Sequence, residues 1–181
     1  MKKLVLFLLL GLNGVVFAQD ARVEKSRSGL QTGLLGVWFH NESRISSSVA
    51  LRSEVGLHAG IWGGDFYDKT GFVLSPVLTL EPRFYYNLNK RVSQSKNIKG
   101  NSGNFLSLEL SYLPSGMEIT NDKSVSVMSS FLAVPTWGIR RQVGKHFVYE
   151  AGTGFGLRKQ LEGNEETESY FKLHFRVGYN F

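Results

Sequence analysis

Apolar and polar residues alternate with a period of two along most of this chain. At its end, Phe171, Leu173, Phe175, Val177, Tyr179 and Phe181 are separated by Lys172, His174, Arg176, Gly178 and Asn180. In VALRSEVGLHAGIW, Val49, Leu51, Val55, Leu57, Ala59 and Ile61 oppose Arg52, Glu54 and His58. Leu74, Pro76, Leu78, Leu80, Pro82 and Phe84 oppose Ser75, Thr79, Glu81 and Arg83. Leu106, Leu108, Leu110 and Tyr112 oppose Ser107, Glu109 and Ser111, and the row from Phe131 to Ile139 opposes Ser130, Thr136 and Arg140. Phe147, Tyr149, Ala151, Phe155 and Leu157 oppose His146, Glu150, Arg158 and three glycines. This is the periodicity of β-strands with one apolar face, and no helical period competes with it beyond the first eighteen residues. Seven strands are predicted, centred near Leu35, Val55, Leu78, Leu108, Ala133, Gly154 and Phe175. NESRISSS, GGDFYDKTG, NKRVSQSKNIKGNSGN, PSGMEITNDKS, VGKH and EGNEETES separate them as turns. No linker divides the chain, which predicts a single domain over residues 19–181.

The direction of the charges decides which face is wet. A soluble ligand-binding barrel lines its interior with apolar side chains, whereas here each strand gathers its ionisable residues on one face and leaves the other nearly uncharged. That is the pattern of a transmembrane β-barrel, apolar outward and polar inward. A closed barrel is also the only sheet without unpaired backbone groups in hydrocarbon. The fold expected is therefore all-β, a closed antiparallel transmembrane barrel of about eight strands, since single-chain bacterial barrels have an even number. The eighth is expected between Arg22 and Ser46 or around Ile119 to Met128. Trp62, Phe84, Tyr85, Tyr86, Tyr179 and Phe181 sit near strand ends, as interfacial aromatic girdles do. Pro76, Pro82 and Pro135 are expected to mark bulges or weak pairing.

The first eighteen residues, MKKLVLFLLLGLNGVVFA, join Lys2 and Lys3 to an apolar run and end in small residues, the pattern of a signal peptide cleaved after Ala18. The run is too short for a membrane-spanning helix. Of the net charge of +6, removing Lys2 and Lys3 leaves +4, too mild a balance to call for nucleic acid. The chain has no cysteine, so neither disulfides nor a lipidated N-terminal cysteine enters the account.

With these features in place, the architecture resembles the small outer-membrane barrels of the OmpX and OmpA-transmembrane type. The stretches GLQTGLLGVW, LRSEVGL, LEPRFYYNLNKR, GNSGNFLSL and PTWGIRR look like an uncharacterised group of outer-membrane β-barrel proteins from Bacteroidota. The terminal Phe175, Val177, Tyr179 and Phe181 resemble the C-terminal signature of bacterial outer-membrane barrels. The resemblance implies outer-membrane location, lipid and lipopolysaccharide as surroundings and the barrel-assembly machinery as a partner during insertion. It implies no activity.

Candidate chemistry is sparse. His40, His58, His146 and His174 lie on four different strands or turns, no HExxH or GxSxG occurs, and no metal or cofactor is called for. GTGFG precedes no helix, so Gly152, Gly154 and Gly156 read as inward positions in a narrow barrel rather than a phosphate loop. Arg52, Glu54, Glu81, Arg83, Glu109, Glu150 and Arg176 all fall on lumen faces. Confined charges must pair or be hydrated, and eight strands leave room only for their own side chains, so a salt-bridge network filling the lumen is expected. The alternatives are a narrow ion or small-solute channel and an outer-membrane lipid-modifying enzyme.

Overall fold

The computed structural model describes residues 21–63, 70–122, 124–163 and 166–181. The signal peptide expected over residues 1–18 lies outside them. Among the described residues nine strands form one sheet: β1 Ser26–Gly33, β2 Gly36–Arg44, β3 Val49–Trp62, β4 Gly71–Tyr85, β5 Gly103–Leu113, β6 Ile119–Thr120, β7 Ser130–Val143, β8 Phe147–Gln160 and β9 Thr167–Asn180. Every pairing is antiparallel. β9 pairs with β1 and β3 with β4, so eight strands close on themselves, and β6 adds a two-residue rung to β4.

The eighth strand was hidden in the first segment. Leu35, taken from the sequence as a strand centre, lies in a two-residue turn between β1 and β2, flanked by Gly33 and Gly36. NESR continues β2 rather than opening a turn, because Glu42 and Arg44 hold the same alternation as Trp38 and His40. The long segment after β4 is not bare turn either: Leu88–Ser93 forms a short helix, α1, and a 3-10 turn follows at Lys99–Asn101. The three prolines cost donors without breaking register. Leu57 lies opposite Pro76, Leu51 opposite Pro82 and Leu108 opposite Pro135, and the ladders keep the same offset on both sides of each.

Two ends follow from the topology. The strand order puts Phe181 at the same end as the connectors 45–48, 86–102 and 144–146; the turn 34–35 and the last residues of β3, β5 and β8 lie at the opposite, loop end. At the terminal end, Leu88 and Ile98 from the α1 segment pack with Val23, Ala50, Tyr85 and Phe105 into an apolar cluster that stoppers the bore. Nearer the loop end, Trp38, Val77, Leu113, Leu132 and Val134 form a second cluster against Tyr170. Glycines let the large groups in. A Cβ on Gly56 would lie 2.3 Å from the Trp38 ring, and one on Gly152 would lie 2.6 Å from the His174 imidazole.

The seam between β9 and β1 is what turns a curved sheet into a barrel, and it pairs Thr32 with Val177 on the outer face. Directly opposed residues on antiparallel strands have Cα atoms about 4.5 to 5.5 Å apart, within disulfide reach. In this cysteine-free chain, Thr32→Cys with Val177→Cys is expected to form an intramolecular disulfide on mild oxidation, whereas Thr32→Cys with Leu173→Cys, four residues out of register, is not. Cross-linking in both pairs, read by non-reducing electrophoresis, would reject the seam.

Candidate functional site: a lumen filled with paired charge

The inward faces of the strands carry five buried cations, Arg52, Arg83, Arg140, Lys172 and Arg176, and five buried carboxylates, Glu42, Glu54, Glu81, Glu109 and Glu150. A bore this narrow cannot hydrate ten charges, and isolated ones would be expensive to bury. They are consumed by one another. Glu150 sits at the hub: Arg83 donates to it from both terminal nitrogens at 2.8 and 2.9 Å, and Arg140 donates at 3.0 Å. Arg83 also donates to Glu81 at 2.7 Å, while Arg140 lies 3.3 Å from Glu42. The second oxygens are used as well. Ser107 donates to Glu81 at 2.6 Å and Tyr85 to Glu42 at 2.6 Å.

A second group lies toward the loop end. Arg52 donates to Glu54 through Nε and Nη2 at 2.9 and 2.7 Å, and Arg176 donates to both oxygens of the same carboxylate at 2.9 and 3.0 Å. Lys172 Nζ donates to Glu109. The groups touch where Arg52 Nη1 comes within 4.0 Å of Glu150. Aromatic faces cover two of the cations: the Arg83 guanidinium carbon is 4.3 Å from the Phe105 ring centre and that of Arg176 is 3.9 Å from Trp38.

All seven lumen residues read from the sequence are buried and paired: six lie in two charge groups joined through Arg52 and Glu150, and Glu109 pairs with Lys172 apart from them. Sequence reasoning left out Glu42, Arg140 and Lys172. Arg140 and Lys172 were on the inward parity and could have been included; Glu42 fell in a stretch read as turn. Tyr85 is a correction, because it is wholly buried beside Glu42 and does not join Tyr86 on the outer rim. The histidines do not assemble into one constellation. His40 lies in the bore near Arg140, His58 meets Trp38 edge to face, His174 approaches Glu150 at 3.4 Å and His146 stacks on Tyr179 at the terminal rim. Among the described residues no group of three or more His, Asp and Glu side chains is placed to hold a metal.

Phe175, Val177, Tyr179 and Phe181 all point outward and are exposed. Phe181 closes the seam by donating its backbone N–H to Ser28 at 3.0 Å, and Tyr179 meets Phe147 and Phe181. Tyr86 accepts a hydrogen bond from Trp137 Nε1 at 2.9 Å on the same rim. At the other end, Ser115 and Ser129 donate to the exposed Glu162 and hold its carboxyl below the usual range, tying two loops together.

No family model, curated protein or solved structure matches this chain. The site must therefore be read from its own geometry. Five charges against five make a neutral filling in which each charged side chain has a partner of opposite sign, and both apolar clusters abut it. The arrangement can lock eight strands together in one register.

Glu150 should be the costliest position to empty, because Arg83 and Arg140 both depend on it. Glu150→Ala is expected to destabilise the barrel by about 3 to 5 kcal/mol in a urea titration, and adding Arg83→Leu is expected to recover part of that loss. A cost no larger than that of Glu162→Ala, on the exposed loop, would show that the network does not hold the fold.

Proposed function

We propose that the chain is an integral outer-membrane β-barrel whose filled lumen is structural and whose loop end serves as a surface for adhesion or binding. The observation that carries this reading is the inversion of the strands. Leu78, Leu80, Phe84, Leu106, Phe131, Phe155 and Phe171 are each 41 to 65% exposed, whereas Arg52, Arg83, Arg140 and Glu150 are at most 1% exposed. Water gives no reason for that arrangement, and hydrocarbon does. On this reading the terminal end faces the periplasm and the loop end faces outside. Outer-membrane lipid and lipopolysaccharide surround the barrel, and the barrel-assembly machinery inserts it. The aromatic cluster of Phe147, Tyr179 and Phe181 supports an interfacial girdle at the periplasmic rim.

The filling speaks against the channel reading. A conducting pore needs an unbroken wet path, and here paired charge lies between two apolar clusters.

Three measurements follow. The folded protein is expected to require detergent for extraction and to migrate faster unheated than boiled; a soluble periplasmic monomer would overturn the proposal. Phe181→Asp, which puts a charge into the girdle, is expected to lower membrane yield well below that of Lys159→Asp at the loop end, and equal yields would remove the role given to the C-terminus. In planar bilayers the protein is expected to give no steady unitary conductance; discrete, reproducible steps would revive the channel.

A further inference from the structure

Among the described residues, the wall of the barrel is incomplete. β1 and β2 are 8 and 9 residues long, while β3 and β9, which flank them, have 14 each. The hairpin therefore stops partway up. Its last contacts are Gly33 opposite Arg176 on one side and Leu35 accepting from the Ala59 N–H on the other. Above that level, among the described residues, no strand pairs with the free edge of β9 from Thr167 to Phe175 or with that of β3 from Gly60 to Trp62. Two missing strands leave three interstrand spacings, a gap of about 14 Å between the flanking backbones before side chains enter it. The same problem arises where β5 ends short of the top of β4, and there the chain solves it: β6 folds back to pair with Val73 and Leu74. At the β1–β2 hairpin no described residue does this.

The gap opens into apolar surroundings. The hairpin tip carries Leu34 and Leu35, 90% and 60% exposed, where a turn in water would carry Gly, Asn or Asp. Its β9 lip carries Phe171, Leu173 and Phe175, 55 to 77% exposed. Behind the lip lies a cavity of about 300 Å³ whose inner wall includes Trp38, Glu109, Lys172 and Arg176. Charge is balanced there, since Lys172 meets Glu109, Arg176 meets Glu54 and Arg52 also reaches Glu150. Two donors are left over: Trp38 Nε1 and Arg176 Nε, both from residues that line the cavity, are buried with no hydrogen-bond partner.

Resting on the membrane reading above, we propose that this gap is a lateral doorway from the outer leaflet, and that its occupant is a single-chain amphiphile with an acidic head. The head, a carboxylate or phosphate, seats beside Lys172 and Arg176, where the unpartnered N–H groups of Arg176 Nε and Trp38 Nε1 can donate to it. The acyl chain leaves between the Leu34–Leu35 tip and Leu173, and it covers strand edges that would otherwise meet hydrocarbon unpaired. A cavity of this volume takes a head and its first methylenes, not a two-chain lipid.

The absence of cysteine makes the test direct. Leu34→Cys is labelled with an environment-sensitive fluorophore, and the full chain is folded into phosphatidylcholine vesicles. Titration with oleate is expected to give a saturable fluorescence change that oleyl alcohol, dodecyltrimethylammonium and inorganic phosphate do not reproduce. Glu109→Gln combined with Lys172→Gln removes the buried ion pair without stranding either partner, and is expected to weaken the oleate response at least tenfold while the heat-modifiable gel shift is kept. A response equal for oleate and oleyl alcohol, or unchanged in the double variant, overturns the proposal. So does spontaneous disulfide pairing of two unlabelled Leu34→Cys chains in the vesicles, which would make a second copy the occupant. Quenching of the label by brominated phosphatidylcholine, measured before any oleate is added, separates the two claims: its absence rejects the membrane reading itself, whereas quenching without a specific oleate response rejects the doorway alone.

Discussion

Ionised side chains inside an eight-stranded barrel have almost no room for water, so each must find its counter-charge among the residues across the bore. The rest of this structure depends on that constraint. Glu150 on β8 reaches Arg83 on β4 and Arg140 on β7, and Arg176 on β9 reaches Glu54 on β3. Arg140 is the directly opposed neighbour of Glu150, whereas Glu150–Arg83 and Arg176–Glu54 join strands three places apart around the wall. Register is therefore fixed twice, once by the backbone ladder and once by the fit of charges across the lumen. A slip of one residue in any strand would turn its charges outward and its apolar row inward.

Such a network is a poor source of net stability, because burying the charges costs much of what pairing them returns. Its value lies in specificity. An apolar bore would let a strand with two apolar faces sit either way round, whereas the matched set of five cations and five carboxylates admits one arrangement of faces. The same logic accounts for the aromatic covers. Phe105 and Trp38 lie over Arg83 and Arg176, where they shield pairs that water would otherwise weaken.

Much of this was legible in the sequence because a strand displays its two faces with a period of two, and charge marks the inner one. Arg52, Glu54, Glu81 and Arg83 needed nothing more than parity. What parity cannot show is where a strand turns back. The outward row passes from even positions, Leu30 and Thr32, to odd ones, Val37 and Phe39, across a hairpin whose tip is Leu34 and Leu35; the adjacent leucines mask that one-residue shift, so two short strands looked like one centred on Leu35. Glu42 was lost with them, since the polar run NESR resembles a turn although it completes β2. Tyr85 failed for a different reason: an aromatic at a strand end is equally at home on the rim or in the bore, and only its bond to Glu42 decides. The α1 segment is too short for its period to register against the surrounding polar residues. The unequal strand lengths that open the wall likewise exist only in the pairing.

The central claim is that this barrel presents its apolar face to lipid and its charge to itself. Single cysteines placed one at a time along β7 from Phe131 to Arg140 and spin-labelled in phosphatidylcholine vesicles test it most directly. Phe131, Ala133, Trp137 and Ile139 lie on the outer parity, and Leu132, Val134, Thr136 and Arg140 on the inner. Collision with lipid-dissolved oxygen is expected to rise and fall with a period of two, with its maxima on the outer set. Maxima on the inner set, or outer labels that collide instead with a water-soluble nickel chelate, would contradict the account.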